Sequence, residues 1–295
     1  MSKQKVIFCR QFLPELETEI GPQKASSIFI LTDDITHKLC LPVVLQSEKL
    51  RGANIITIPN GDSHKTLDTL ATVWKYLSEH GATRKSLMIN LGGGMITDLG
   101  GFAASTFKRG MDYINIPTTL LGAVDAAVGG KTGINFMGLK NEIGVINPAK
   151  AVLVETEFFR TLDHENMLSG IAEILKHALI SSPEEWRKVL QLDLENINFE
   201  ALKSILQSSI TIKEEIVEKD PNEQNIRKAL NLGHTIGHAF ESYSYKTGHP
   251  VLHGYAVAWG LICELYLSHK KTGFPNINHL NKGDRLFLHQ TKRIF

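Results

Sequence analysis

A change of hydrophobic period near residue 161 constrains this chain more than any other feature. Before it, short apolar runs alternate with helical patterns; after it, β-branched runs largely disappear and the period stays helical. Runs at 28–31, 55–58, 87–91, 114–116 and 152–154 read as strands. Between two of them Leu67, Leu70, Trp74 and Leu77 recur at helical spacing, and Gly81 stands where a helix end takes a left-handed residue, which completes one crossover unit. Such alternation predicts a parallel sheet with crossover helices. Helical patterns over 168–180, 184–191, 199–219, 226–246 and 254–270 follow. The expected architecture is therefore an α/β N-terminal domain with a parallel, Rossmann-like sheet over residues 1–160 and an all-α C-terminal domain over 161–295.

The 295 residues suit two domains of ordinary size. With 32 basic and 31 acidic residues the formal charge is +1, so no bulk field favours nucleic acid or an anionic membrane, and any anion binding has to be local. Cys9, Cys40 and Cys263 are odd in number and far apart, which indicates neither a disulfide framework nor a thiolate zinc cage and fits a reducing cytosol. Met1 to Lys5 lack the apolar run of a signal peptide, and no stretch approaches the roughly 20 apolar residues of a membrane span. A soluble, cytoplasmic protein is expected.

His234 and His238 lie one helical turn apart in Asn231-Leu232-Gly233-His234-Thr235-Ile236-Gly237-His238, and His253 follows in His253-Gly254-Tyr255. Imidazole is the commonest metal ligand, and a catalytic zinc typically takes three protein ligands and keeps one position open. The best further candidate is Glu173, in Gly170-Ile171-Ala172-Glu173-Ile174-Leu175-Lys176, where the apolar stripe at 171, 174, 175, 178 and 179 leaves Glu173 and Lys176 together on another face. Each motif also admits a plainer reading: a surface ion pair for Glu173 and Lys176, a solvated helix face for the two histidines. Glycine-rich, apolar surroundings favour the metal, because polar side chains there need partners.

Strand 87–91 runs into Gly92-Gly93-Gly94-Met95-Ile96-Thr97-Asp98-Leu99-Gly100-Gly101. A strand entering glycines and then a helix lets backbone N–H groups approach a pyrophosphate. The match to G-x-G-x-x-G is incomplete, with Thr97 where the last glycine belongs, so nucleotide binding and a plain tight turn both remain open. Asp33, following strand 28–31, is placed to accept a ribose hydroxyl or to serve an ordinary turn. Lysines also sit among glycines in Asp125, Gly129-Gly130-Lys131-Thr132-Gly133 and Gly138-Leu139-Lys140-Asn141, with Arg109, Lys213 and Arg227 as further cations. Singly these are solvated charges; their clustering argues for an anionic small molecule.

Taken together, Gly92 to Gly101, Pro117-Thr118-Thr119-Leu120-Leu121, Asp125 to Asn141, Gly170 to Lys176, Arg227 to His238 and His253-Gly254 closely resemble 3-dehydroquinate synthases over about residues 28–270. The resemblance implies that Glu173, His234 and His253 hold zinc or another divalent metal such as cobalt, and that His238 is an acid/base residue and not a ligand. This separates the two helical histidines, which spacing alone would pair on the metal. It further implies that Asp33, Gly92, Gly93, Gly94, Asp98, Thr118 and Thr119 hold NAD, with Lys131 and Lys140 in the same neighbourhood. Asp125, Lys131, Asn141, Lys176, Lys213, Arg227 and Asn231 would surround the substrate, and Arg109 would reach its phosphate from a partner subunit of a homodimer. The first domain becomes the NAD-binding one and the second the metal- and substrate-binding one. The implied reaction converts 3-deoxy-D-arabino-heptulosonate 7-phosphate to 3-dehydroquinate and phosphate.

Two departures accompany the resemblance. The family pattern continues beyond residue 295 through a helical segment with an Asp-Lys-Lys element that contacts phosphate; neither Lys282 nor Lys292 aligns with that lysine, so a truncated C-terminal domain is expected. Ile35 stands near a position where the family often has asparagine. The alternatives are another sugar phosphate cyclase, a polyol dehydrogenase of the same architecture, or a truncated homologue that binds NAD and metal without turnover.

Overall fold

The structure, a computed structural model, describes residues 4–273. Expectations that fall on 274–295, Lys282 and Lys292 among them, lie outside the described residues. The chain divides into two compact units between Asp163 and His164.

The first unit is an α/β layer structure. Its strands and helices are β1 (Lys5–Phe8), α1 (Phe12–Ile20), β2 (Ile28–Asp33), α2 (Asp34–Leu39), α3 (Leu41–Val44), β3 (Asn54–Ile58), α4 (Leu67–Glu79), β4 (Leu87–Gly92), α5 (Gly94–Thr106), β5 (Asp112–Pro117), β6 (Lys131–Phe136), β7 (Leu139–Ile146) and β8 (Ala151–Val154). Six strands form one sheet in the order β1-β8-β5-β4-β2-β3, with every pairing parallel. All five expected strands lie inside observed ones. The four residues of β1 are too few to declare a period. β2 and β4 are buried at every position, which is why they read as largely apolar runs without alternation. Asn90 and Asn115 break the apolar pattern on neighbouring strands, where Asn90 Nδ2 donates to Asn115 Oδ1 at 2.9 Å. A Cβ on Gly100 would fall 2.1 Å from Asn90 Oδ1, so helix α5 lies directly on β4 only because that position is glycine.

The chain leaves β2 towards β3 and β4 towards β5, in opposite directions across the sheet. The carboxyl ends of β2 and β4 therefore flank the point where the strand order reverses, the place where parallel sheets bind ligands. Asp33 and Gly92 end those two strands.

The lysine- and glycine-bearing segment 131–146 is an antiparallel hairpin, β6 with β7. It reverses at Met137 and Gly138, both left-handed (φ 48° and 80°), the conformation a two-residue hairpin turn requires. Its strands approach closely because a Cβ on Gly144 would lie 1.9 Å from the Thr132 carbonyl oxygen. All of β7 is exposed, so no apolar alternation marks it in the sequence.

The second unit is helical: α6 (His164–Ser181), α7 (Pro183–Val189), α8 (Phe199–Lys219), α9 (His234–Lys246) and α10 (His253–Thr272). Helix α6 is buried at every residue from Met167 to Ala178. Val257, Leu261 and Leu265, one turn apart on α10, pack with Leu179, Trp186 and Leu232. The continuous helix expected over 226–246 is corrected: a 3₁₀ stretch at Ile226–Asn231 ends before α9, and Gly233 between them is left-handed at φ 81°. A side chain at Gly233 would also collide with Leu261 Cγ at 2.8 Å and the Val257 carbonyl oxygen at 2.9 Å. Among the described residues no helix is long and apolar enough to cross a membrane.

Candidate functional site

Three glycines bring α6, α9 and α10 to backbone contact. A Cβ on Gly254 would stand 1.9 Å from the Ser169 carbonyl oxygen, so the first turn of α10 rests on α6 one turn before Glu173, and Gly254 N–H donates to Ser169 Oγ at 3.0 Å. A Cβ on Gly260 would stand 1.9 Å from the Gly233 carbonyl oxygen, and one on Gly237 2.8 Å from that of Ala256, which presses the start of α9 onto α10. His253, His234 and Glu173 are thereby carried to one point from three separate helices.

Glu173 is fully buried, and an ionised carboxylate there needs compensation. Its Oε2 accepts from Lys176 Nζ one turn along α6. Its Oε1 accepts no hydrogen bond. That oxygen faces His234 Nε2 at 3.6 Å and His253 Nε2 at 3.7 Å. Donor atoms about 2.0–2.1 Å from a tetrahedral ion stand roughly 3.3 Å apart, so this spacing needs to close by only a few tenths of an ångström. The ring nitrogens of His234, His238 and His253 also come within 4.8 Å of one another, with His238 the exposed member. Spacing alone thus leaves His238 within reach of the same point, while Glu173 Oε1 is the acceptor without a hydrogen.

Helix α9 starts without a side-chain cap of its own. Glu264 of α10 supplies one, accepting from Gly233 N–H at 2.7 Å and Ile236 N–H at 3.2 Å. Sequence reasoning missed Glu264, although a lone carboxylate in an apolar helix, four residues after Gly260, was the available signal. Lys213 is buried on α8. Arg227 is buried in the 3₁₀ stretch, where its Nη1 donates to the Pro221 carbonyl at 2.8 Å. Asp220 organises that loop by accepting from the backbone N–H groups of Gln224, Asn225 and Arg227 at 2.9, 2.6 and 3.1 Å, and these bonds outweigh desolvation and hold its carboxyl below the ordinary range. Asn231, which is exposed, donates to Glu223 Oε1 at 2.7 Å.

In the α/β unit, Gly93 precedes the 13-residue helix α5 with no side-chain cap. Thr118 N–H donates to the Gly92 carbonyl at 3.0 Å, and Thr119 Oγ1 accepts from Gly122 N–H at 2.9 Å. A Cβ on Gly93 would sit 3.0 Å from the Thr119 side chain, so the threonine loop borders the glycine loop. Asp33 Oδ1 caps α2 by accepting from Ile35 and Thr36 N–H at 2.9 and 2.7 Å, the ordinary turn role. Ile35 itself is exposed.

Asp98 and Asn141 converge on a residue the sequence reading missed, Lys65. Its buried ammonium donates to Asp98 Oδ2 at 2.8 Å and to Asn141 Oδ1, and lies 3.9 Å from Asp62. Burial pushes the Asp98 carboxyl up, opposed by Lys65 and reinforced by Asp125 and Asp62. Lys140 pairs with Asp62 at 3.1 Å. Burial would raise Asp62 as well, yet Lys65 and Lys140 together hold it below the ordinary carboxylate range. Asn141 reaches in from a left-handed position on β7 (φ 53°), with its N–H on Asn135 Oδ1 at 3.0 Å. The signal for Lys65 was Asp62-Ser63-His64-Lys65 shortly after strand 55–58. Lys131 opens β6 and is exposed, and Asp125 lies in the π-turn Gly122–Ala126. Arg109 is exposed and follows Lys108 in a left-handed pair (φ 68° and 48°).

An α/β unit with a parallel sheet followed by a helical unit is the fold of solved sugar phosphate cyclases. A 2-deoxy-scyllo-inosose synthase solved with carbaglucose-6-phosphate, NAD+ and Co2+ shares the fold at TM-score 0.83 and 23% identity, covering 96% of this chain and 78% of that one. The 2-epi-5-epi-valiolone synthase from Streptomyces hygroscopicus subsp. jinggangensis, solved with NAD+ and Zn2+, aligns at TM-score 0.82 and 26% identity, over 98% of this chain and 81% of its own. Family profiles described as 3-dehydroquinate synthase N-terminal and C-terminal match residues 55–169 and 170–286. The 3-dehydroquinate synthase of Parabacteroides distasonis is 53% identical over 275 residues, 93% of this chain and 78% of that protein. The chain belongs to the 3-dehydroquinate synthase family.

Proposed function

We propose that the chain converts 3-deoxy-D-arabino-heptulosonate 7-phosphate to 3-dehydroquinate and phosphate, using NAD catalytically and a divalent cation, for which zinc is the fitting ion. The single observation that carries the metal assignment is Glu173 Oε1, a buried carboxylate oxygen without a hydrogen-bond donor, facing two histidine Nε2 atoms. Glu173, His234 and His253 would hold the ion. Gly92, Gly93, Gly94, Asp98, Thr118 and Thr119, with Asp33, Lys131 and Lys140 at the rim, would hold NAD; the uncapped start of α5 supports this, since its free N–H groups suit a pyrophosphate. Lys65 joins that set through its bonds to Asp98 and Asn141.

When bound, the cation lowers the pKa of substrate hydroxyls and NAD takes up and returns a hydride, so the cofactor emerges unchanged. The remaining tasks belong to side chains of this chain. Lys176 neutralises Glu173 and supplies a buried positive charge for oxyanions that develop beside it. His238 has an exposed ring close to His234 and His253, suited to carry a proton in and out. Lys131, Lys213 and Arg227 supply cations for the carboxylate and phosphate of the substrate, while Asp125, Asn141 and Asn231 supply hydrogen bonds to its hydroxyls. Arg109 would serve the phosphate of a second subunit in a homodimer; support comes from its exposed guanidinium on a strained left-handed pair, a cost that functional positions tend to bear. The free thiols of Cys9, Cys40 and Cys263 support a cytoplasmic location.

The test is incubation of purified protein with NAD, zinc and the heptulosonate phosphate. Equimolar phosphate and dehydroquinate, with no net NADH, is the expected result. Net NADH formed from a polyol would favour the dehydrogenase reading, and metal and NAD binding without product the inactive one.

A further inference from the structure

Both candidate histidine ligands present Nε2 to Glu173 Oε1, and each has an acceptor behind the ring. Behind His234 it is the backbone: Nδ1 lies 3.3 Å from the Leu232 carbonyl oxygen. Behind His253 it is a side chain, since Nδ1 lies 3.4 Å from Oε2 of Glu241. Glu241 is buried, on α9, and follows His234 and His238 at the i, i+4, i+7 spacing of one helix face.

We infer that Glu241 is a positioning residue for the metal centre: its carboxylate takes the Nδ1–H of His253 and so fixes the tautomer and the ring orientation that leave Nε2 free for the cation. The inference rests on the proposed metal set. Nδ1 and Nε2 point to different sides of the imidazole, so a carboxylate on Nδ1 stands behind the ligand and not among the ligands. A neutral imidazole has one N–H, and placing it towards Glu241 leaves the lone pair on Nε2. The negative charge behind the ring also raises the basicity of Nε2. No part of this was legible in the sequence, where Glu241 is one more polar residue of a helix and lies 12 positions before His253.

The test compares metal-free parent, Glu241→Ala, Glu241→Gln and His253→Ala in zinc titrations against a competing chelator, together with the visible spectrum of each at saturating Co2+. Glu241→Ala is expected to weaken zinc binding about 10–100-fold, the usual effect of removing such a partner. Glu241→Gln, which keeps an acceptor but not the charge, is expected to recover part of that loss, and the cobalt bands should shift in both. A merely structural role would leave the bands of the saturated protein in place. Parental affinity and parental bands in both glutamate variants, with binding lost in His253→Ala, would overturn the inference alone. Parental zinc binding in His253→Ala would overturn the metal assignment and this inference with it. Should Glu241→Ala fail to fold, the glutamine variant decides: weakened binding with shifted bands supports the role, and parental behaviour overturns it.

Discussion

Glu173 and Lys176 form a fully buried ion pair one turn apart on α6, in which the carboxylate gives Oε2 to the ammonium and turns Oε1 towards His234 and His253. One carboxylate thus balances a lysine on one side and is poised for a cation on the other. Replacing Lys176 by Met leaves Glu173 buried without its partner and is expected to cost the metal-free protein about 3–5 kcal/mol in urea unfolding. Zinc should restore part of that loss, because it neutralises the same carboxylate. A zinc-induced shift of the urea midpoint larger in Lys176→Met than in the parent is the outcome to look for.

The close approach of α10 to its neighbours depends on glycines. Gly254→Ala and Gly260→Ala each force a Cβ to within 1.9 Å of a backbone oxygen. Overpacking of this kind costs about 1–3 kcal/mol, to be measured by denaturant unfolding. Gly254→Ala also pushes His253 away from Glu173, and displacements of about 1 Å at a reacting centre cost roughly 100-fold in turnover. Steady-state assay of the folded variant checks this.

Asp62 provides a pH test in the α/β unit. Its carboxyl is held low in the folded protein by Lys65 and Lys140 against the effect of burial. A depressed folded pKa contributes stability that is present above the unfolded value, near about 3.9, and is lost as pH falls through the folded value. The difference in urea midpoint between the parent and Asp62→Asn should therefore be present at neutral pH and vanish in acid. Added salt should reduce it, since the Asp62 side chain is about a third exposed.

The sheet was legible where strands are buried on both faces: β2 and β4 announce themselves as largely apolar runs, interrupted in β4 only by Asn90. The β6–β7 hairpin was not, because Gly133, Gly138 and Gly144 interrupt its pattern and β7 is exposed along its whole length, so no buried face imposes alternation there. The break before α9 was missed for a related reason. Gly233 looks like a tolerated helix glycine until Leu261 and Val257 are seen to occupy the space of its side chain. In the candidate site, motif spacing marked Glu173 and the three histidines His234, His238 and His253 together, and only the family resemblance set His238 apart from the ligands, whereas Lys65, Glu241 and Glu264 act through partners distant in sequence, at separations no local pattern encodes.

The most direct measurement of the central claim is an anomalous difference map at the zinc edge from crystals of the zinc-loaded protein. The predicted result is a single peak about 2.0–2.2 Å from Glu173 Oε1, His234 Nε2 and His253 Nε2 together, with His238 outside that distance. A peak held by His234, His238 and His253 without Glu173, or no peak common to Glu173, His234 and His253, would contradict it.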